Sequence, residues 1–393
     1  MTPTFQRPAL ELAEVVRRHG HRLGQDLCGE QRRILRAIAS CRTAALGGHI
    51  ESCDQCQFRR IAYNSCRNRH CPKCQARACA RWMEQRAEEL LPVEYFHVVF
   101  TLPDAFNALA LANKRIVYGV LFDAVAKTLT EVAANPRHLG ARIGFIAILH
   151  TWGQNLCLHP HIHCVVPGGG LSADGSRWIA CKKGFFLPVR VLSKVFRGKF
   201  IDQLKQARAA GKLVGTQDDD DFTRLLNASV KHDWVVYAKP PFGGPGQVLK
   251  YLSRYTHRIA ISNRRLLWID DQSVTFKWKD YAHGNRPRTM TLEGGEFLRR
   301  FLLHAVPSGF MRIRHFGLLA NRTRAQNLET CRRLLSSPSP ADPDPGSIPP
   351  ATASFTDASG HARCPLCGCG RMIPGPNLSP PELVRLMIHL DSS

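Results

Sequence analysis

Apolar positions recur along this chain with two different periods. Leu10, Leu12, Val15 and Val16, then Ile34, Leu35 and Ile38, return at helical spacing among arginines and acids, so residues 8–48 read as helices ending at Gly47-Gly48. A cysteine-rich segment follows to about residue 79, and a short helix carrying Trp82, Met83, Glu88 and Leu91 closes the unit before Pro92. From Val93 the pattern alternates. Strands are predicted at Tyr95 to Leu102, Arg142 to His150, His161 to Pro167 and Asp233 to Ala238, with helices over 105–133, 190–210 and 246–257. Strand, helix, two-strand hairpin, helix, strand is the split βαβ order of a ferredoxin-like sheet. The expected class is therefore α+β, an antiparallel ferredoxin-like sheet with helices, preceded by a small helical domain, and the 161–167 strand should be central.

Beyond residue 258 the reading is coarser. Residues 260–280 predict a β-hairpin with Asp270-Asp271 in its turn, followed by helical, basic sequence to about Leu335. Six prolines within 336–350 predict an extended linker. The expected domains are 1–92, 93–335, the linker 336–350, and a small tail, 351–393.

Charge narrows the partner. Lysine and arginine outnumber acids 54 to 31, for a net charge of +23 and a pI near 9.8. Solubility alone asks for a net charge of roughly 2–8 in a small domain, so a polyanion, nucleic acid first, is the expected partner. The first residues lack the apolar core of a signal peptide and no run of about 18 apolar residues occurs, which predicts a cytoplasmic protein with no membrane partner. Fifteen cysteines there argue for metal rather than disulfides, and eight of them precede residue 80.

Cys53-x2-Cys56 and Cys71-x2-Cys74 stand fourteen residues apart, close to the two-knuckle spacing that closes a tetrahedral zinc site. His49, Cys66 and His70 are near enough to exchange with a member of the set or to hold a second ion. Cys28, Cys41 and Cys79 read as free cysteines. Cys364-x2-Cys367 is half a site, with His361 and Cys369 as available partners. Residues 59–86 carry eight basic side chains against one acid, and their coincidence with a zinc module makes Arg67, Arg69 and Lys73 candidate phosphate contacts.

Two further motifs carry chemistry. His161 and His163 project from one face of a strand and suit a divalent ion, Mg²⁺ or Mn²⁺, with His150, Gln154 or His159 available to complete the coordination. Tyr251 and Tyr255 share one face of a predicted helix, and Lys250, Arg254, His257 and Arg258 surround them with charge that stabilises phenolate and binds phosphate. From 246 to 333 there are seventeen basic residues against six acids, interleaved with aromatics on which unpaired bases could stack.

The segments Leu158-His-Pro-His-Ile-His-Cys-Val-Val-Pro-Gly-Gly-Gly170 and Lys250-Tyr-Leu-Ser-Arg-Tyr-Thr-His-Arg258 resemble the two-tyrosine HUH transposases of bacterial rolling-circle insertion sequences. Tyr63-Asn-Ser-Cys-Arg-Asn-Arg-His-Cys-Pro-Lys-Cys74 is similar to that family's N-terminal zinc-binding domain, and Gly309 to Arg322 to the end of its catalytic domain. The resemblance spans roughly residues 10 to 330. It implies an HUH nuclease core, cleavage of one DNA strand to a 5′-phosphotyrosine and a free 3′-OH, and rejoining by attack of a 3′-OH. It also implies Tyr251 and Tyr255 as nucleophiles, His161 and His163 as ligands of the catalytic ion, and a structural Zn²⁺ on Cys53, Cys56, Cys71 and Cys74. Lys250, Arg254 and Arg258 would contact DNA, single-stranded or as hairpin ends of a mobile element, near the bacterial nucleoid. No phosphate loop of a helicase is present, so host replication or helicase factors would separate the strands. A plasmid replication initiator or relaxase would use the same chemistry. A non-catalytic zinc-containing DNA-binding regulator is the alternative from another class.

Overall fold

A computed structural model of the chain describes residues 10–24, 27–215, 218–242, 259–280, 284, 286–336 and 362–391. Helices α1 (Leu12–His19) and α2 (Gly29–Ala39) bury Leu12, Val15, Val16, Ile34, Leu35 and Ile38, the apolar stripes visible in the sequence. Within the cysteine-rich segment lie two strands that periodicity does not announce, β1 (Gly48–Cys53) and β2 (Arg59–Tyr63), and then α3 (Pro72–Ala87). Pro72 occupies the first turn of α3, where its missing N–H costs nothing.

The central unit follows as β3 (Tyr95–Thr101), α4 (Asn107–Ala112), α5 (Lys114–Ala134), β4 (Gly144–Trp152) and β5 (Leu158–Pro167). A small ribbon of β6 (Gly169–Leu171) and β7 (Trp178–Ala180) leads to α6 (Val189–Ala209), α7 (Asp219–Val230) and β8 (Val236–Phe242). The helix expected over 105–133 is divided. Asn113 leaves helical geometry, with φ −126° and ψ 39°, and its side chain bonds Leu109 O and both backbone groups of Val214. Helix α7 is an addition, capped by Asp218, whose carboxylate accepts from the Asp220 and Asp221 amides.

Three more strands, β9 (Leu266–Ile269), β10 (Ser273–Asp280) and β11 (Arg286–Glu293), form an antiparallel sheet, so the expected hairpin gains a third member. After the helix Gly294–Leu303 comes β12 (Ile313–Gly317), in a stretch expected to be helical, then the helix Arg324–Ser336. Strand β12 pairs with β4, giving a five-stranded antiparallel sheet in the order β12-β4-β5-β3-β8. The fold is thus α+β. Its βαββαβ core is ferredoxin-like in element order, and the extra edge strand makes the sheet larger than that pattern. Strand β5, with its histidines, lies in the middle.

The sheet has two unlike faces. Phe96, Val98, Phe100, Phe145, Ala147, Leu149, Ile162, Cys164 and Val166 pack against α5 and α6 in the main core. The other face carries the alternate residues, apolar where Tyr95, Ile146, Ile148 and Val165 meet Leu91 and Leu318, and histidine-rich beside them. A second core joins α1 and α2 to Trp152, Leu156, the β9–β11 sheet and the helix Gly294–Leu303. Hydrophobic burial therefore crosses the division expected at residue 92. The tail also joins the N-terminal segment, for β13 (Met372–Leu378) pairs with β1 and the helix Pro380–Asp391 follows it. No helix among the described residues is long and apolar enough to cross a membrane.

Candidate active site

Strands β4 and β5 run antiparallel with His150 opposite His161 and Ile148 opposite His163, so all three imidazoles lie on one face. Their ligand nitrogens fall within 4.8 Å of one another. The ring of His150 stands 4.4 Å from that of His163 and 5.4 Å from that of His161, and the latter two are 4.8 Å apart. Among the residues that could have joined the pair, His150 is selected by strand register. His159 is displaced toward Asp104, 3.7 Å away, while the main-chain carbonyl of Gln154 accepts from the Arg265 guanidinium.

Neighbours orient these rings. His161 Nδ1 lies 2.6 Å from the His159 carbonyl and His163 Nδ1 lies 2.7 Å from His97 Nε2, so in both rings Nε2 is the nitrogen suited to an ion. His97 reaches His163 from β3, its ring nearly parallel to that of His163, at 13°, with centroids 5.0 Å apart. Burial, together with Lys239 and His161, lowers its pKa to about 3, so it stays neutral at physiological pH. Trp152 stacks on His150 at 4.7 Å and makes an edge contact at 6.0 Å with His304, which is buried and lies near Leu156 O and Thr151 Oγ1. Sequence reasoning did not single out His97. Its signal was a lone histidine in an apolar strand, which core packing explains equally well.

The donor set suits a divalent ion with open positions, since three imidazoles leave coordination sites for substrate or water. Of the two ions expected, Mn²⁺ matches nitrogen ligands better than Mg²⁺, which prefers oxygen and keeps its waters. Tyr251, Tyr255, Lys250, Arg254 and Arg258 lie outside the described residues.

The single zinc site expected on Cys53, Cys56, Cys71 and Cys74 is replaced by two separate clusters. Cys71 and Cys74 converge with Cys41 and Cys66, while Cys53 and Cys56 converge with Cys364 and Cys367. The physical reason is topology. Pro72 starts α3 directly after Cys71 and turns that knuckle toward α2, whereas the knuckle at the end of β1 faces the tail strand. In the first cluster Cys74 Sγ lies 3.6 Å from both Cys41 Sγ and Cys66 Sγ, close to the spacing of about 3.8 Å that tetrahedral zinc with 2.3 Å Zn–S bonds imposes. No disulfide competes among the described cysteines. Cys41, read from sequence as a free cysteine, belongs to the set. His70 does not: it bonds Asn68 and accepts from the Val306 amide, and burial lowers its pKa to about 3. His49 lies 3.5 Å from Glu51.

The expected phosphate contacts divide. Arg67 is exposed, in a left-handed conformation with φ 52°. Arg69 donates to the Phe310 carbonyl at 2.6 Å, and Lys73 pairs with Glu11 at 2.6 Å, so both cations are engaged within the chain. An open groove of about 630 Å³ beside β12 is lined by Arg86, Arg115, Arg314 and Arg324 with Phe310 and Phe316, residues scattered too widely to stand out in the sequence.

Comparison with known proteins gives the class first. A family model described as "Transposase zinc-binding domain" matches residues 13–102, and another described as "Putative transposase" matches residues 144–327. A protein of Sinorhizobium fredii (strain NBRC 101917 / NGR234), "Putative transposase y4qJ", is 54% identical over 378 residues, covering 93% of this chain and 95% of its own. The "Transposase for insertion sequence element IS801" of Pseudomonas savastanoi pv. phaseolicola is 27% identical over 352 residues, covering 86% and 81%. This chain belongs to the same family, the HUH-type, IS91-like transposases of rolling-circle insertion sequences. A solved conjugative relaxase, TrwC in its metal-bound complex with oriT DNA, aligns over 61% of this chain and 72% of its own at 15% identity, with a TM-score of 0.25 too low to carry argument.

Proposed function

We propose that the protein cuts and rejoins single DNA strands at the ends of its element through 5′-phosphotyrosine intermediates. The observation that carries this reading is the open centre of His150, His161 and His163 in the middle of the sheet of a transposase-family chain. A bound Mn²⁺ or Mg²⁺ would supply Lewis-acid polarisation of the scissile phosphate. The three imidazoles would hold that ion, and His97 would keep His163 in one tautomer and orientation.

Tyr251 or Tyr255 would attack phosphorus: the Tyr Oη–P bond forms, the P–O3′ bond breaks, the phenol proton passes to solvent and the leaving oxygen becomes the 3′-OH. A phenol is a weak nucleophile at its ordinary pKa near 10, so Lys250, Arg254 and Arg258 would stabilise phenolate and phosphorane charge. Two tyrosines allow one 5′ end to be retained while a second cut is made, and a 3′-OH then displaces tyrosine to seal the strand.

The flanks of the tyrosine segment support this placement. Phe242 pairs with Tyr95 at one end of β3, while Ala260 and Ile261 share a core with Trp152, the residue stacked on His150. The groove beside β12, lined by Arg86, Arg115, Arg314 and Arg324, would guide the phosphates of an unpaired strand. Strand opening would fall to host replication or helicase factors, and the protein would act at the nucleoid in the cytoplasm. The Cys41 cluster, inside the zinc-binding match, would hold structural zinc.

The test is incubation of the protein with a single-stranded oligonucleotide from its element's end and Mn²⁺, followed by denaturing electrophoresis. A covalent DNA adduct is expected with the wild-type chain and none with Tyr251→Phe/Tyr255→Phe. Undiminished adduct in the double variant would overturn tyrosine chemistry. Absence of adduct from an actively transposing chain would favour another nuclease mechanism, and DNA binding with neither adduct nor transposition would favour the regulator.

A further inference from the structure

We infer that Cys53, Cys56, Cys364 and Cys367 form a second zinc site, which clips the C-terminal segment onto the N-terminal module. The zinc-binding family match stops at residue 102 and does not reach the tail. The two cysteine pairs are separated by most of the chain, yet Cys53 Sγ lies 3.7 Å from Cys367 Sγ and Cys56 Sγ lies 3.7 Å from Cys364 Sγ. Those spacings fit the roughly 3.8 Å edge of a tetrahedral zinc–tetrathiolate and are far beyond the 2.05 Å or so of a disulfide.

The two halves share one local geometry. In each, the first cysteine sulfur accepts from the amide two residues on: Gln55 N to Cys53 Sγ and Leu366 N to Cys364 Sγ, both 3.4 Å. Further amides donate at Cys56 N to Cys53 Sγ, 3.5 Å, and Gly370 N to Cys367 Sγ, 3.3 Å. Each knuckle then turns through a left-handed residue, Gln57 at φ 58° and Gly368 at φ 70°. Amide donors aimed at sulfur stabilise thiolate, the form that binds metal. The unrelated sequences Cys53-Asp-Gln-Cys56 and Cys364-Pro-Leu-Cys367 thus adopt matching knuckles that face one another, an arrangement four buried or half-buried thiols would not need for packing alone.

The tail is built to dock there. Strand β13 pairs with β1 so that Met372 lies opposite Cys53, and Asp54 bonds both the amide and the guanidinium of Arg371, at 2.7 and 2.9 Å. A side chain on Gly370 would come within 2.3 Å of Cys53 Sγ, so only glycine allows the approach. Leu383 of the last helix is fully buried and packs near Gly48. With zinc in place the tail supplies the third strand of the sheet β13-β1-β2 and is a structural part of the N-terminal module.

The full-length protein, expressed with a protease site introduced between residues 337 and 361, tests this. Metal analysis should give about two zinc ions per chain for wild type and about one for Cys364→Ser/Cys367→Ser, one ion per tetrad. After cleavage the tail should coelute with the body on size exclusion and dissociate in the double variant. Cobalt substitution of the wild-type chain provides a measurement that needs no variant: its tetrathiolate absorbance per chain should be about twice that of a single site. An unchanged zinc count in the variant, single-site cobalt absorbance, or release of the tail from zinc-loaded wild type would each overturn the inference. None of these readouts depends on DNA cleavage, so they stand apart from the transposition chemistry.

Discussion

The histidine centre and the cysteine clusters are both sets of metal-type ligands, but they are assembled in opposite ways. His150, His161 and His163 come from two adjacent strands, offer three donors and keep coordination positions open. Each cysteine set gathers four sulfurs, one set from within residues 41–74 and the other from opposite ends of the chain, the number a closed tetrahedral site takes. Three nitrogens with an open side suit work on a substrate, whereas four thiolates leave an ion nothing to do but hold chain segments together. Perturbing one should therefore change chemistry and perturbing the other should change folding.

The largest effect separating them is expected at the Cys41 cluster. Structural zinc contributes an apparent ~10–16 kcal/mol in small zinc modules, comparable to or larger than a whole domain's stability of about 5–15 kcal/mol. Cys71→Ser/Cys74→Ser should lose that zinc and the folded N-terminal module, seen as zinc loss by metal analysis and rapid proteolysis before residue 92. A variant that loses zinc yet melts like wild type would break the distinction.

At the histidine centre His161→Ala should leave the melting temperature within a few degrees of wild type and lower strand cleavage by about 10³-fold. This is the rate equivalent of about 4 kcal/mol of metal-borne charge stabilisation. Single-turnover cleavage against Mn²⁺ concentration measures it. A parallel loss of fold and activity would place this centre with the structural sites.

His97→Ala sharpens the picture, since an orienting partner typically contributes about 10–100-fold in metal affinity. Titration should show a raised Mn²⁺ requirement with near-normal cleavage at saturation.

Acid tests a smaller term at His304, which is buried against Trp152, with burial lowering its pKa to about 4. In the unfolded chain the imidazole titrates near 6.5, so above that pH it costs nothing. As pH falls from 6.5 toward 4 the unfolded state binds the proton preferentially and stability declines by up to about 1.4 kcal/mol per unit. His304→Gln should flatten that part of the melting-temperature profile, and an unchanged slope would place the acid sensitivity elsewhere. The smallest effect belongs to Arg67, exposed on the zinc module: Arg67→Ala should weaken DNA binding uniformly and reduce the salt slope by about one if it contacts phosphate.

Legibility in the sequence followed distance along the chain. The amphipathic stripes of α1 and α2, the strand around His161 and the βαββαβ order were readable because backbone periodicity alone sets which side chains share a face. Strands β1, β2 and β12 were not, because they are short, half-exposed and polar, and pair only once their partners are in place. The pair His161 and His163 was legible, but His150 was one of several neighbours until the β4–β5 register placed it opposite His161. Arg69 and Lys73 looked like DNA contacts because charge is visible in sequence while the Phe310 carbonyl and Glu11 that engage them are not adjacent in it.

The sequence by itself determined the local units: two-residue spacings that make cysteine knuckles, alternation that aligns two histidines, and an excess of positive charge that calls for a polyanion. Tertiary structure decided how those units were joined. A knuckle needs a second pair of thiolates, and nothing within its few residues says whether that pair lies fourteen residues away or at the far end of the chain. Only the pairing of β13 with β1, and the turn from Cys71 into α3, settled which sulfurs meet.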